Sequence, residues 1–279
     1  MKLYPLNLLC SVFKVSCAGF YYFIKTESYR QKKLTRELAL AIKIESVFNG
    51  SKKTYGSPRI FAILKAINAV STKNKVAACM KKFGLRSRLK KKYKNTTDSN
   101  HNQAIAPNHL MQNFKVYNKN QIWVSDITYI WTEEGFLYLA CILDLWSRKI
   151  VGWSFGERLT TDLILKAFYM AISGQNPLLK VIFHSDRGSQ YASKEFRAAL
   201  QRHGFIQSMS RKGNCWDNAV MESFFHTLKC EFVYFEKFQN RNEAKTYIFH
   251  WIESFYNRQR IHSSIGYRTP QQMEVLTMI

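Results

Sequence analysis

The chain has 279 residues, 46% of them hydrophobic, enough for a buried core; this excludes a chain disordered throughout or built from fibrous repeats. Lys and Arg number 42 against 19 Asp and Glu, a net charge of +23, so the partner expected is an acidic polymer or an anionic surface. The charge is concentrated: residues 1–120 carry +20 and residues 121–279 carry +3, which predicts a basic binding module joined to a near-neutral one.

The N-terminal stretch from Lys2 to Phe23 has the outline of a secretory signal. Lys14 interrupts it, however, and Leu6, Cys10 and Phe13 fall at helical spacing, so a short amphipathic helix is expected. No apolar run reaches the ~20 residues that span a bilayer, and a cytoplasmic, nucleoid-associated protein is expected. The six cysteines form no C-x-x-C pair and read as buried thiols of a reducing compartment. Cys215, His226 and Cys230 come nearest to a zinc spacing and are not expected to bind metal.

Residues 1–95 read as a basic helical region. Leu34, Leu38, Ala41, Ile42 and Glu45 share one helix face. Ser57 is expected to cap a helix with Pro58 at its first position and Ile60, Ile63, Leu64 and Ile67 as its stripe. Ser71 is expected to cap the next, with Val76, Cys79, Met80 and Phe83 as its stripe and Gly84 as its stop. Two short helices followed by Arg86, Arg88, Lys90, Lys91, Lys92 and Lys94 predict a helix-turn-helix that contacts DNA. Arg59, at the start of the first helix, joins those contacts. Residues 96–115 are assigned to a polar linker and 116–279 to a second domain.

From 121 the period changes to two. Residues 122–131 alternate as a strand with Asp126 among apolar neighbours; 136–145 and 149–155 are further strands. A helix over 161–173, a strand over 181–185, a helix over 193–203, a strand over 206–210 and a helix from Ala219, capped by Asn218, complete a mixed five-stranded α/β sheet with helices on its faces.

Three acids stand out. Asp126 is mid-strand, Asp186 ends the apolar strand VIFHS, and Glu222 lies in the first turns of a helix within AVMESFF. A half-buried carboxylate is costly unless paired or metal-bound. Three hard oxygen donors at one point suit Mg²⁺ or Mn²⁺, whereas separate pairing with the abundant Arg and Lys would need no metal. Asp144 is expected to cap the DLWSR turn or pair with Arg148. His184 is either an orienting or DNA-contacting residue or a satisfied core histidine.

Fifty-nine residues lie between Asp126 and Asp186, and 35 between Asp186 and Glu222. This resembles the D,D-35-E triad of the retroviral-integrase and transposase superfamily. The words WVSDITYI, GFLYLACILDLWSRKIVGW, HSDRGSQYAS, GNCWDNAVMESFFHTLKCE and RIHSSIGYRTPQQME resemble the OrfB half of split OrfA/OrfB insertion-sequence transposases, and YGSPRI and KKFGLRSR resemble the helix-turn-helix ahead of their core. The resemblance spans essentially the whole chain. It implies an RNase H-like core and a DNA transposase that cleaves and joins strands at element ends. It further implies Asp126, Asp186 and Glu222 as catalytic ligands of two Mg²⁺ (or Mn²⁺) ions, and Lys229, seven residues after Glu222, as a phosphate contact. The partners implied are the terminal inverted repeats, target DNA, further copies of the chain in the active complex, and an OrfA partner or fusion. The competing expectation is an OrfB product inactive alone, acting as a DNA-binding regulator. A hybrid-cutting nuclease would not need the basic half, a retroviral-type integrase would bring a His/Cys zinc module, and a nucleoid protein would not need acids among apolar strand residues.

Overall fold

The computed structural model describes residues 4–89, 104–177, 180–212 and 214–276. The chain forms two compact units, 1–88 and 89–279. Lys90, Lys91, Lys92 and Lys94 lie outside the described residues.

The first unit is helical: α1 (Leu6–Val12), α2 (Cys17–Lys25), α3 (Glu27–Gly50), α4 (Ser57–Ala66) and α5 (Lys73–Lys82). The N-terminal amphipathic helix is shorter than expected, because Phe13 lies beyond its end and is exposed while Cys10 is buried. On α3 the buried face is Ala41, Ile44 and Phe48; Leu34, Leu38 and Ile42, expected inside, are exposed. Leu34, Leu38, Ile42 and Glu45 do share a face, but the i, i+3, i+7 set Ala41, Ile44 and Phe48 is the one that is buried. Gly56 rather than Ser57 precedes α4, and Ser57 and Pro58 occupy its first two positions. Thr72 rather than Ser71 caps α5, its hydroxyl accepting from the Lys75 N–H at 3.4 Å. The stop at Gly84 is as expected: its φ of +69° turns the chain, and the Leu85 N–H donates to the Met80 carbonyl at 2.9 Å. Ile60, Leu64, Val76 and Met80 are buried.

The second unit is built on β1 (Ile122–Thr132), β2 (Gly135–Asp144), β3 (Ile150–Gly156), β4 (Ile182–Ser185) and β5 (Ile206–Met209), in the order β3-β2-β1-β4-β5. The first three strands are antiparallel; β4 and β5 run parallel to β1. This is the RNase H-like order and direction. Its helices are α6 (Thr161–Gln175), α7 (Ser189–Ala192), α8 (Lys194–Arg202), α9 (Ala219–Glu231), α10 (Arg241–His250) and α11 (Pro270–Leu276), and a π-helical stretch, Trp251–Tyr256, prolongs α10.

Alternation along β2 divides the core. Leu137, Leu139, Cys141 and Leu143 pack with Met221, Phe224 and Leu228 of α9 and with Trp251 and Phe255. Ala140 and Ile142 face the other way, against Leu163, Ala167 and Phe168 of α6 and Phe196 of α8. Residues 104–114, read from sequence as linker, also lie on this unit, with Leu110 buried in the α9-side core.

One position admits no side chain. A Cβ on Gly152 would stand 2.2 Å from the Ala167 carbonyl oxygen and 2.7 Å from the Ala171 Cβ, so β3 and α6 touch backbone to backbone. Gly152→Ala is expected to destabilise the protein by about 2 kcal/mol or more through overpacking, measured as a lowered urea midpoint with unchanged slope.

Candidate active site

The register between β1 and β4 fixes two of the acids. Val124 pairs with His184, so Asp126 and Asp186, each two residues further, follow side by side from adjacent parallel strands. The Ile127 N–H donates to Asp126 Oδ1 at 2.7 Å, and the Gly188 N–H donates to Asp186 Oδ1 at 2.9 Å. The loop after Asp186 is further held by Arg187, whose Nε donates to the Ser210 carbonyl at 2.6 Å. Across the antiparallel pair, Asp126 faces the buried Cys141.

Glu222 is exposed in the first turn of α9, where the helix dipole favours an anion. Asn218 precedes that helix but does not cap it. Its amide is instead turned inward, donating to the Ser125 carbonyl at 3.2 Å, and this ties the start of α9 to β1 beside Asp126. Its Oδ1 is buried without a hydrogen-bond partner.

The electrostatics tie these groups together. Burial pushes the Asp126 carboxyl well above the usual carboxylate range, and the negative charges of Asp186 and Glu222 push it further; the Ile127 N–H and the Lys229 ammonium oppose the shift. Although the Glu222 residue is exposed, partial burial of its carboxyl raises its pKa as well. Lys229 is half-buried two turns along α9, its Nζ 4.8 Å from the Tyr129 ring centroid. Burial lowers its pKa, and the Asp126 charge partly restores it. The site therefore combines three carboxylates of like charge with one ammonium.

Among the described residues no three His, Cys, Asp or Glu side chains are drawn together into a closed metal nest. The donor chemistry nonetheless fits a hard divalent cation: all three groups are carboxylates, and a bound cation would offset the burial and the neighbouring negative charges that raise Asp126.

His184 is a satisfied core residue. It is fully buried, with Nδ1 2.9 Å from Ser208 Oγ and Nε2 3.2 Å from Ser210 Oγ, and burial lowers its pKa to about 4. Asp144 caps its turn, accepting from the Ser147 N–H and hydroxyl at 2.9 and 2.8 Å and from the Asn120 N–H at 2.8 Å. Cys10, Cys141 and Cys230 are buried, but Cys17 and Cys79 are partly exposed, contrary to a uniformly buried set. In the first unit Arg59 is half-buried, 5.3 Å from the Tyr55 ring centroid, and Arg86 and Arg88 are exposed. The Arg88 N–H donates to the Lys53 carbonyl at 2.8 Å.

Sequence reasoning missed the residues that anchor α9. Asp217, fully buried, accepts from Arg211 Nε and Nη2 at 3.1 and 2.9 Å, from the Arg211 N–H at 2.8 Å, from Asn108 at 2.8 Å and from Gln112 at 2.9 Å. Arg211 leads the causes that hold this carboxyl far below the usual range. At the other end of α9, Glu231 receives a two-pronged bond from Arg260 at 2.8 and 2.7 Å, both side chains buried. The Asn108 and Gln112 partners of Asp217 and the Arg260 partner of Glu231 are distant in sequence and leave no local pattern to read.

The Asp217 clamp has a defined pH signature. A depressed folded pKa means its stabilisation is complete above the unfolded value of about 4 and is lost as pH falls through the lower folded value. Asp217→Asn is expected to cost about 2 kcal/mol above pH 5, since the exposed Arg211 is partly screened by water. In the variant, melting curves between pH 5 and 2 should lose the acid-dependent share that this carboxylate contributes to the parent.

Comparison with known proteins supplies the rest. Residues 117–215 and 203–270 match two family profiles, each described as "Integrase core domain", and residues 35–93 match one described as "HTH-like domain". The chain is 43% identical over 262 residues to the insertion element IS600 uncharacterized 31 kDa protein of Shigella sonnei, covering 94% of this chain and 96% of that one. It is 38% identical over 275 residues to the transposase InsF for insertion sequence IS3A of Escherichia coli (strain K12), covering 97% and 94%. The chain belongs to the IS3 family of insertion-sequence transposases. A solved simian T-cell lymphotropic virus intasome aligns with this transposase at a TM-score of 0.47 and 16% identity, over 76% of this chain and 69% of that one. The acids of the transposase span the matched profiles, Asp126 and Asp186 within 117–215 and Glu222 within 203–270. The HTH-like match takes in Arg59, Arg86 and Arg88.

Proposed function

We propose that this transposase cleaves and joins DNA strands at the ends of its insertion sequence, with Asp126, Asp186 and Glu222 as the ligands of two Mg²⁺ or Mn²⁺ ions. The observation that carries this reading is the approach of Asp186 and Glu222 to the buried Asp126, whose carboxyl both push up while the Lys229 ammonium opposes the shift. Bound divalent ions would stabilise the leaving 3′ oxygen and activate the attacking one. The chain's own part is positioning. The Ile127 and Gly188 amides each donate to one oxygen, of Asp126 and of Asp186 respectively, and so orient the two carboxylates. Asn218 holds the first turn of α9, and with it Glu222, against β1. Lys229 supplies the positive charge that a scissile phosphate would meet. Water is the nucleophile in cleavage and a 3′-hydroxyl in joining, so no covalent protein–DNA bond is needed.

In the same proposal, residues 1–95 form the basic DNA-binding domain, 96–115 the connection and 116–279 the catalytic domain. Arg59, Arg86, Arg88, Lys90, Lys91 and Lys92 contact the terminal repeats. The active complex contains further copies of the chain, with OrfA as a partner or a fusion, and works on the nucleoid in the cytoplasm.

The test is divalent-ion-dependent cleavage and strand transfer on labelled element-end DNA. Glu222→Gln is expected to remove both, and retained cleavage would refute the triad. Lys229→Ala is expected to weaken cleavage about tenfold or more, the ~1.4 kcal/mol of one charge-assisted phosphate contact, with the loss shrinking as salt rises. If the wild-type chain binds DNA in a salt-sensitive way but cleaves only when fused to OrfA, the regulator reading holds for the isolated chain.

A further inference from the structure

The HTH-like match begins at residue 35, yet the chain before it has the geometry of a second DNA-reading element. The axes of α1 and α2 are bent by 104°. The four residues Phe13–Ser16 join them, with Lys14 in the left-handed region at φ 53°. Helix-turn-helix units join two helices at about 90–120° through a 3–4-residue turn. The pair holds itself together: Cys10 is buried, and Cys17 Sγ lies 3.3 Å from Asn7 Oδ1 across the bend. Ser16 caps α2, its Oγ accepting from the Gly19 N–H at 3.0 Å.

The α2 surface is uncovered. Only Cys17 and Phe20 of the helix are partly buried, and Tyr21, Tyr22, Phe23 and Ile24 are 50–70% exposed. Its nine residues span about 13 Å, close to the ~12 Å width of the major groove. Charge complementarity names the occupant. Residues 1–33 contain six Lys or Arg and a single acid, Glu27. Arg30 is stacked 3.6 Å from the Phe23 ring centroid and donates to Thr26 Oγ1 at 2.7 Å, which fixes a cation at the α2–α3 junction.

We propose that α1 and α2 form a second helix-turn-helix whose α2 lies in the major groove of duplex DNA. Lys14 and Lys25 contact the phosphates on either side, and Tyr21 and Tyr22 meet the base edges. This inference rests on the reading of the chain as a DNA transposase, and its failure is separable from the failure of that reading.

The experiment uses the full chain. Binding to element-end duplex and to scrambled duplex is measured across a salt series for the wild type, Lys14→Glu/Lys25→Glu and Tyr22→Ala, with circular dichroism confirming equal helix content. The charge reversal is expected to weaken binding to both duplexes at least tenfold and to flatten the log–log salt slope by about 2, near 0.9 for each lost phosphate contact. Tyr22→Ala is expected to narrow the preference for element ends about fivefold or more, while binding to scrambled duplex stays within twofold. The same affinities, slope and footprint in all three proteins would overturn the proposal and leave the transposase reading standing. A wild-type chain that binds neither duplex would overturn both. Unchanged duplex binding with loss of anionic-vesicle flotation, or of self-association, would instead assign the pair to a membrane or to a second copy, and would also overturn it.

Discussion

Replacing Asp186 by Asn is expected to leave duplex binding within a few-fold of the parent while lowering strand cleavage by about three orders of magnitude or more, roughly 4 kcal/mol of lost transition-state stabilisation. The substitution preserves shape: an amide oxygen can still accept from the Gly188 N–H, so the loop that carries residue 186 keeps its hydrogen bond. What disappears is charge. Asp186 is the largest electrostatic contributor, after burial, to the raised pKa of Asp126, so its neutralisation also relieves repulsion in the site. The variant should therefore melt at the same temperature as the parent or higher in the absence of divalent ions, the usual trade of stability against activity. Millimolar Mg²⁺ should raise the midpoint of the parent and leave that of the variant unmoved, because only a ligand of the folded state stabilises it. Thermal melts with and without Mg²⁺, set beside the cleavage assay, separate a loss of chemistry from a loss of fold. Equal Mg²⁺ stabilisation of both proteins would remove Asp186 from the ligand set.

The second large effect concerns stability. Arg260→Ala is expected to cost about 3–5 kcal/mol, because Glu231 would remain buried with its counter-charge gone. For a unit of this size that corresponds to a drop of roughly 10 °C in the melting midpoint. Both partners are about 5% exposed or less, so the loss should be nearly independent of salt between 50 and 500 mM. The double replacement Glu231→Met/Arg260→Met should recover most of it, since a buried pair exchanged for apolar groups of similar bulk is often neutral or stabilising. Chemical denaturation of the three variants measures both. A single variant within 1 kcal/mol of the parent would mean that water reaches the pair.

The fold was legible where periodicity was strong and local. The change to period two at residue 121 marked β1, and the acid at 126 stood out because its neighbours are Trp, Val, Ile and Tyr. Helix α3 was misread because it carries two apolar stripes, and nothing local distinguishes Leu34, Leu38 and Ile42, which are exposed, from Ile44 and Phe48, which are buried. The caps slipped by one residue at Gly56 and Thr72 because Gly-Ser-Pro and Ser-Thr each offer two chemically suitable positions. Asp126, Asp186 and Glu222 were legible through their spacing. Their supports were not. Asp217 looks like part of a helix start, and its partners Asn108 and Gln112 sit over a hundred residues away in a stretch that reads as linker. Asn218 was assigned a cap by residue type, but a carbonyl on β1 captured its side chain.

The fastening of α9 at both ends has a consequence for how the protein comes apart. Helix termini normally fray first and their amides exchange with solvent early. Here the start is held by the buried Asp217 and Asn218, and the end by Glu231 and Arg260. Native-state hydrogen exchange should therefore find the amides of α9 opening only with the cooperative unfolding of the whole sheet unit. On heating, loss of turnover and loss of near-ultraviolet circular dichroism should then coincide at one temperature, with no folded but inactive species between them.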